Sequence, residues 1–206
     1  MLSFNLEEFL GVLERFNKDI WPLQILIYVL GIFVLFLLIR KNKYSDRIIL
    51  AILALLWLWN GIIFCPFYWA TTYKYAYLFG ALFILQGILF LVGVFKPNIS
   101  FGHLNRLNTA VGIVFIIYAM AGYQLLGYSL GHVYPEFFPF GLVPCPTAIF
   151  TFGVLLITNK KIPGYYLIIP AIFAAGGFLA VSKGVFEDIG LIIAGLTGSY
   201  LLLRRS

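Results

Sequence analysis

The stretch FFPFGLVPCPTAIFTFGVLLIT, residues 137–158, carries no charged residue and governs how the rest of the chain is interpreted. Its composition is typical of a membrane-spanning helix. The segment Pro144-Cys145-Pro146-Thr147 interrupts it with two prolines, which lack the backbone N–H of a helical hydrogen bond. Such a break is tolerated at membrane depth only where protein or water satisfies the backbone carbonyls. We therefore expect this segment to line a cavity or to be buried in protein.

The whole composition also indicates a membrane protein. Of the 206 residues, 62% are hydrophobic and 11% are charged, whereas soluble domains contain about 25% charged residues. The net charge is +6, but the basic residues lie in short connections between apolar runs, so nucleic acid is not an expected partner. The first residues lack the basic region and early apolar run of a cleavable signal peptide.

Seven apolar runs approach the length of about 20 residues that a helix needs to cross the hydrocarbon core. They are residues 21–39, 48–70, 76–95, 109–130, 138–157, 165–181 and 188–203. These runs are too long and too uniformly apolar for barrel strands. The sequence therefore predicts an all-α integral membrane protein, with an amphipathic interfacial helix in residues 1–19 and seven transmembrane helices in residues 20–206.

The charges predict an orientation. Ten of the 14 Lys and Arg residues fall in alternate connections and at the C-terminus: Arg40, Lys41, Lys43, Arg47, Lys96, Arg106, Lys160, Lys161, Arg204 and Arg205. Basic connections stay in the cytoplasm, which puts the N-terminus outside and the C-terminus inside a prokaryotic cell membrane. The other side receives seven of the eight acids, namely Glu7, Glu8, Glu14, Asp19, Glu136, Glu187 and Asp188. This segregation indicates an outward-facing polar mouth, or chance on short loops.

The N-terminal residues have the pattern of an amphipathic helix. Apolar residues recur there at helical spacing, and Asn5 with Glu8 forms a possible capping box. This pattern predicts a helix on the outer membrane surface, which could cover the mouth or serve only as an anchor.

The first three and last three runs share a plan that suggests a 3+1+3 parallel repeat, as in SWEET-type transporters. Proline interrupts or opens the first run of each set at Pro22 and Pro146, and three glycines mark the third run of each set. Close helix packing is the alternative explanation for the glycines.

Polar residues inside spans usually face the interior of the bundle, and here they gather toward the outer half. The candidate ligand-binding residues are Gln24, Asn60, Gln86, Gln124, His132, Pro144, Cys145, Pro146, Thr147, Glu187 and Asp188. Glu187 and Asp188 open the seventh run, where acids also favour a helix N-terminus through its dipole. The alternative role for this pair is to bind a cation or a proton.

The thiols allow several interpretations. Cys65, His132 and Cys145 would suit a soft metal ion such as copper or zinc. Alternatively, the two cysteines are buried apolar residues or form a disulfide on the oxidising side. His103 is expected on the cytoplasmic side, apart from His132. The chain contains none of the common hydrolase or phosphate-loop motifs, so an enzyme would depend on Cys145 as nucleophile and His132 as base.

Several stretches together resemble a prokaryotic multi-pass membrane family classed as a domain of unknown function. They are WPLQ at 21–24, LALLWLWNG at 53–61, YLFGALF at 77–83, GHVYP at 131–135, FGLVPCPT at 140–147 and EDIGL at 187–191. The resemblance covers nearly the whole chain. It implies the topology and the candidate positions, but no activity.

The leading expectation is a transporter or channel-like protein for a small solute or ion, with an outward-facing polar cavity at the broken fifth helix. In this hypothesis the break supplies free carbonyls, a new helix start after Pro146 supplies a positive dipole end, and the side-chain amides bind the solute. The alternatives are a non-transporting sensor or accessory subunit, and an outer-leaflet enzyme using Cys145. The expected partners are the lipid bilayer and a small solute or cation, and the protein could form an oligomer.

Overall fold

The computed structural model describes residues 5–96, 98–102 and 105–204. This part of the chain forms eight helices and no β-strand. We label them α1 (Leu6–Asp19), α2 (Leu23–Ile39), α3 (Ser45–Thr71), α4 (Ala76–Phe95), α5 (Arg106–Ser129), α6 (Pro144–Leu156), α7 (Tyr165–Ser182) and α8 (Phe186–Leu203). The described residues do not include three parts of the predictions: residues 1–4 of the predicted N-terminal helix, His103 and Arg205.

Five of these helices, α3, α4, α5, α7 and α8, are long and apolar enough to cross a membrane. A sixth span results if α1 and α2, which meet at an angle of 88°, are counted together. The sequence predicted a fifth full-length span at residues 138–157, but the helix in that stretch, α6, is shorter. It has 13 residues, which amounts to about 20 Å of helix against a hydrocarbon core of about 30 Å.

Helix α6 begins at Pro144, with Val143 as its extended N-cap residue. The first turn of a helix has no intrahelical partners for its N–H groups, so proline is tolerated there. This corrects the expected helix start after Pro146. Twelve of the 13 residues of α6 are buried, and its contacts with α3, α5, α7 and α8 make it the core of the bundle.

The backbones of α5 and α6 touch at a pair of glycines. A Cβ atom on Gly112 would lie 2.6 Å from the carbonyl oxygen of Gly153, and one on Gly153 would lie 2.7 Å from that of Gly112. Small residues permit this approach between helices in lipid, where apolar burial alone does not drive association.

Side-chain amides hold the non-helical segment that precedes α6. Asn17 donates from Nδ2 to the carbonyl oxygens of Pro135 and Phe137, both at 2.7 Å, and accepts from Gln24 Nε2 at 2.8 Å. Asn17 is completely buried. A backbone carbonyl away from water needs such a partner, so α1 fixes the segment as well as covering it.

Two further amides act on the same segment from α3 and α5. Gln124 donates to the carbonyl oxygen of Phe138 at 3.1 Å, and Asn60 donates to that of Gly141 at 3.3 Å. The carbonyl oxygens of Phe138 and Gly141, which precede the two prolines, are therefore already paired with polar side chains of neighbouring helices.

Helix α1 packs tightly against the bundle. Its N-cap residue Asn5 accepts a hydrogen bond from the backbone N–H of Glu7 at 3.0 Å. The side chains of Leu13 and Phe16 are fully buried, and Phe16 packs edge-on against Phe64 at a centroid distance of 4.9 Å. The amphipathic pattern thus buries its apolar face against other helices of the same chain.

The connections at the other end of the bundle meet in a polar cluster. Lys41 Nζ lies 3.1 Å from Asp46 Oδ1 and donates to the carbonyl oxygen of Phe101 at 2.5 Å. The backbone N–H of Phe101 donates to Asp46 Oδ1 at 3.0 Å, and the N–H of Asn159 donates to the carbonyl oxygen of Ser100 at 2.9 Å. The connections α2–α3, α4–α5 and α6–α7, which the sequence predicted to be basic, therefore lie next to one another.

Candidate ligand site

Two consecutive carboxyl groups, those of Glu187 and Asp188, are buried where α8 begins. The exposed fractions of Glu187 and Asp188 are 0% and 1%. Burying a carboxylate is costly unless it is hydrogen-bonded or paired with a cation. The surrounding residues therefore determine whether this pair is structural or chemically active.

Asp188 accepts hydrogen bonds from two neutral donors. Tyr123 Oη donates to Oδ1 at 2.6 Å, and Cys145 Sγ donates to Oδ2 at 3.3 Å. Tyr123 lies on α5, and Cys145 lies in the first turn of α6. The first turn of α6, which holds both prolines, thus brings a thiol to a buried acid.

Glu187 has a different environment. His132 Nδ1 lies 2.5 Å from Glu187 Oε1, and Tyr118 Oη donates to the Glu187 carbonyl oxygen at 2.8 Å. The second carboxyl oxygen, Oε2, is buried without a hydrogen-bond partner among the described residues. We call Tyr118, Tyr123, His132, Cys145, Glu187 and Asp188 the acid cluster.

Two glycines make room for the acid cluster. A Cβ atom on Gly127 would lie 2.7 Å from Glu187 Oε1, and one on Gly190 would lie 2.0 Å from the ring of Tyr118. Residues Tyr118–Gly122 form a π-helical turn within α5, a feature that often occurs at functional sites. This turn lets Tyr118 and Tyr123, five residues apart, both face α8.

A cavity of about 90 Å³ adjoins Asp188, between α1, α3, α4, α6, α7 and α8. Its lining residues are mainly aromatic or aliphatic: Phe9, Phe64, Trp69, Tyr73, Phe79, Phe138, Pro144, Cys145, Phe173, Gly176, Gly177, Leu179, Ala180, Val185, Asp188 and Leu191. We call it the aromatic cavity. The sequence predicted a polar cavity at this place, and the structure corrects that prediction. Asp188 is the one acid in this lining.

The structure brings only some of the predicted site residues together. Pro144, Cys145 and Asp188 line the aromatic cavity, and His132 and Glu187 join it through the acid cluster. This group corresponds to the part of the prediction that joined the proline break to the start of the last span.

The other predicted residues have partners elsewhere in the protein. Gln86 donates to the carbonyl oxygen of Tyr166 at 3.3 Å, away from the acid cluster. Thr147 donates to the carbonyl oxygen of Val143 at 2.7 Å and accepts from Asn60 at 3.3 Å. Pro146 is buried in α6. With Gln24 and Gln124, whose bonds are described above, these residues hold backbone and helices in place.

The structure does not form the predicted metal group or the disulfide. Both cysteines are free thiols, and the described residues contain no cluster of three or more His, Cys, Asp or Glu side chains suited to a metal ion. The predicted pair of Cys145 and His132 is also absent there, because the thiol bonds Asp188 while the imidazole bonds Glu187.

Neither Tyr118 nor Tyr123 is among the predicted site residues. Residues five apart do not share a face of an ordinary α-helix, where neighbours are three and four residues apart. Asn17 was likewise assigned no role, because its partner carbonyls come from a segment more than a hundred residues away.

The two tyrosines should contribute unequally to stability. Tyr123→Phe removes a donor from a buried carboxylate, and we expect it to lower the free energy of unfolding by about 2 kcal/mol. Tyr118→Phe removes a bond to a neutral carbonyl, with an expected loss of about 1 kcal/mol. Titration with SDS in detergent micelles, followed by tryptophan fluorescence, measures both. If Tyr118→Phe lowered the free energy of unfolding more than Tyr123→Phe, the hydrogen bond to Asp188 would not be the stronger of the two.

The chain belongs to DUF6064, a family of unknown function, whose sequence profile matches residues 6–206. This confirms the resemblance to a family without an assigned activity, while the membrane character of that family stays a prediction. No curated protein and no solved structure matches the chain.

Proposed function

We propose that this protein is a membrane transporter that binds a small solute in the aromatic cavity and couples its movement to protonation of Glu187 and Asp188. The observation that carries the proposal is Asp188, a buried acid in the wall of a cavity that is lined by six helices, four of which are of membrane-spanning length. Ionisable groups at membrane depth are costly and usually belong to ion, proton or substrate pathways.

The outer surface of the bundle supports a location in a bilayer. Large apolar side chains are exposed around it, among them Ile32, Ile39, Phe95, Leu125 and Leu196. A soluble monomer rarely exposes so continuous an apolar surface. With the basic connections toward the cytoplasm, α1 and the acid cluster face the outside of a prokaryotic cell, and the Pro-Cys-Pro-Thr segment marks the site.

The acid cluster offers a route for protons from the outer side. His132 lines a groove together with Tyr128, Val133 and Tyr134, and its imidazole contacts Glu187. An imidazole ring can donate a hydrogen bond from one nitrogen and accept one at the other. Glu187 is adjacent in sequence to Asp188, which faces the aromatic cavity, so the two carboxyls connect the groove with the cavity.

Helix α1 would regulate access to the cavity. Phe9 forms part of the cavity wall and contacts Trp69 at a centroid distance of 6.0 Å. A solute that enters past Phe9 would displace the first half of α1. This assigns the amphipathic helix a role as cover in addition to that of an anchor.

A non-transporting sensor is the second candidate, because the bundle is tightly packed beyond the acid cluster. Phe150, Phe152 and Leu155 of α6 are fully buried, and Thr151 is engaged with Trp57 Nε1 at 2.9 Å. A sensor would bind the solute in the same cavity without carrying it through this packed region.

Vesicles loaded with a pH-sensitive dye would test the proposal. Tetramethylammonium, methanesulfonate and tert-butanol have the same number of non-hydrogen atoms and differ in charge. We expect a gradient of at least one of these solutes to drive proton movement that depends on the protein. Asp188→Asn should reduce the rate of this proton movement by about tenfold or more, which is the effect of losing one charge-assisted hydrogen bond.

Glu7→Gln is the matched control, since Glu7 is exposed on α1, and its rate should equal that of the unaltered protein. Solute binding without proton movement would favour the sensor. If no solute in the panel moves protons or binds, both candidates are wrong.

A further inference from the structure

We infer that the ligand of the aromatic cavity is a small organic ammonium cation, with Asp188 as its counter-ion and the surrounding rings as its cage. This inference rests on the proposed function and names the class of solute for the same site. It follows from the charge balance of Asp188, the aromatic lining and the size of the cavity.

Two neutral hydrogen-bond donors lie against the carboxyl group of Asp188. Tyr123 Oη and Cys145 Sγ both donate to it, and such donors favour the ionised form of a carboxyl group. Among residues 5–96, 98–102 and 105–204, the ion pairs are Arg15 with Asp19, Lys18 with Glu14, Lys41 with Asp46, and His132 with Glu187. None involves Asp188.

A buried charge in a protein is normally paired, and a cation in the adjacent cavity would supply the pairing. His132 cannot do so at the same time as it contacts Glu187, where its Nδ1 lies 2.5 Å from the carboxyl oxygen. In its ionised form, Asp188 therefore favours a positively charged ligand over a neutral one of equal shape.

The cavity wall provides the second element of ammonium recognition. Trp69 contacts Phe79 at a centroid distance of 5.4 Å, and Phe79 contacts Phe173 at 5.8 Å. With Phe9 and Phe64 these rings form a continuous wall. Aromatic faces attract organic cations through their quadrupole, and the attraction is strongest where water is excluded. An inorganic cation would instead need several oxygen ligands, and among the side chains of the described lining residues only those of Asp188 and Tyr73 carry oxygen.

The size of the cavity limits the ligand. Its volume of about 90 Å³ is smaller than the engineered cavity of about 150 Å³ that binds benzene, which limits the ligand to a compact molecule.

Calorimetric titration of the purified full-length protein in detergent micelles tests the inference. Tetramethylammonium and tert-butanol have similar size and differ in charge, and protein-free micelles correct for partitioning. We expect tetramethylammonium to bind at least tenfold more tightly than tert-butanol. Asp188→Asn should abolish this preference, lowering affinity for the cation by tenfold or more and leaving that for the alcohol unchanged.

Phe173→Leu keeps the cavity apolar but removes one ring, and it serves if Asp188→Asn does not fold. It should weaken tetramethylammonium binding severalfold without changing the binding of tert-butanol. Gel-filtration elution of each variant establishes that the fold is intact.

Equal affinity for the two probes, or retention of the cation preference in Asp188→Asn, would overturn the inference. So would the absence of tetramethylammonium binding. If tert-butanol or methanesulfonate binds and drives proton movement instead, the ammonium assignment is wrong while the proposed function stands.

Discussion

Asn17→Ala should lower the free energy of unfolding by about 3 kcal/mol or more, a loss comparable with much of the stability of a small domain. The substitution removes both hydrogen bonds to the carbonyls of Pro135 and Phe137, as well as the acceptor for Gln24. Each buried group left without a partner costs about 1–3 kcal/mol. The segment before α6 should then detach from α1, which SDS titration and limited proteolysis would both detect.

Asn17→Asp sharpens this test because it keeps the shape of the side chain. The aspartate retains an acceptor for Gln24 but turns a carboxylate toward two carbonyl oxygens, so its loss should equal or exceed that of the alanine variant. Asn105→Ala is the matched control, since Asn105 makes an exposed N-cap bond to Leu107 N at 2.8 Å and should cost about 1 kcal/mol. Equal losses at the two asparagines would contradict the structural role of Asn17.

Gly153→Ala should destabilise the protein by about 2 kcal/mol, within the range of overpacked cores. The added methyl group would lie 2.7 Å from the carbonyl oxygen of Gly112 and 3.0 Å from the backbone N of Ile116. Backbone atoms cannot rotate away as a side chain can, so α5 and α6 must separate. The unfolding midpoint in detergent measures the effect.

Gly176→Ala provides the opposite expectation within α7. No atom of the described residues lies within 4 Å of a Cβ atom at this position, so the higher helix propensity of alanine should leave stability unchanged or raise it by up to about 1 kcal/mol. If both glycine variants behave alike, the close contact of α5 and α6 is not a determinant of the fold.

The long helices could be predicted from the sequence because apolar length is itself the signal. The runs at 48–70, 76–95, 109–130, 165–181 and 188–203 correspond to α3, α4, α5, α7 and α8 within a few residues. The length of α6 could not, because a helix surrounded by protein and one surrounded by lipid have the same apolar composition. Its neighbours, which are distant in sequence, decide which of the two it is.

The candidate site could be predicted where unusual residues are visible in the local sequence. Buried acids at the start of the last span and a thiol between two prolines are unusual anywhere in an apolar chain. The hydrogen-bond partners of Asp188 were harder to predict, because Tyr123 reaches it through a π-helical turn whose effect on register has no simple sequence signal. The amides were misplaced for a related reason. Gln124 and Asn60 satisfy carbonyls that the sequence alone left unassigned.

The short α6 has a consequence for synthesis of the protein. With 13 residues, it is too short to remain in a bilayer as an independent span during insertion. Its contacts with α3 and α5 can form as soon as the segment is made, whereas those with α7 and α8 must wait for the rest of the chain. A chain that ends before α8 would therefore leave part of the surface of α6 without its protein neighbours.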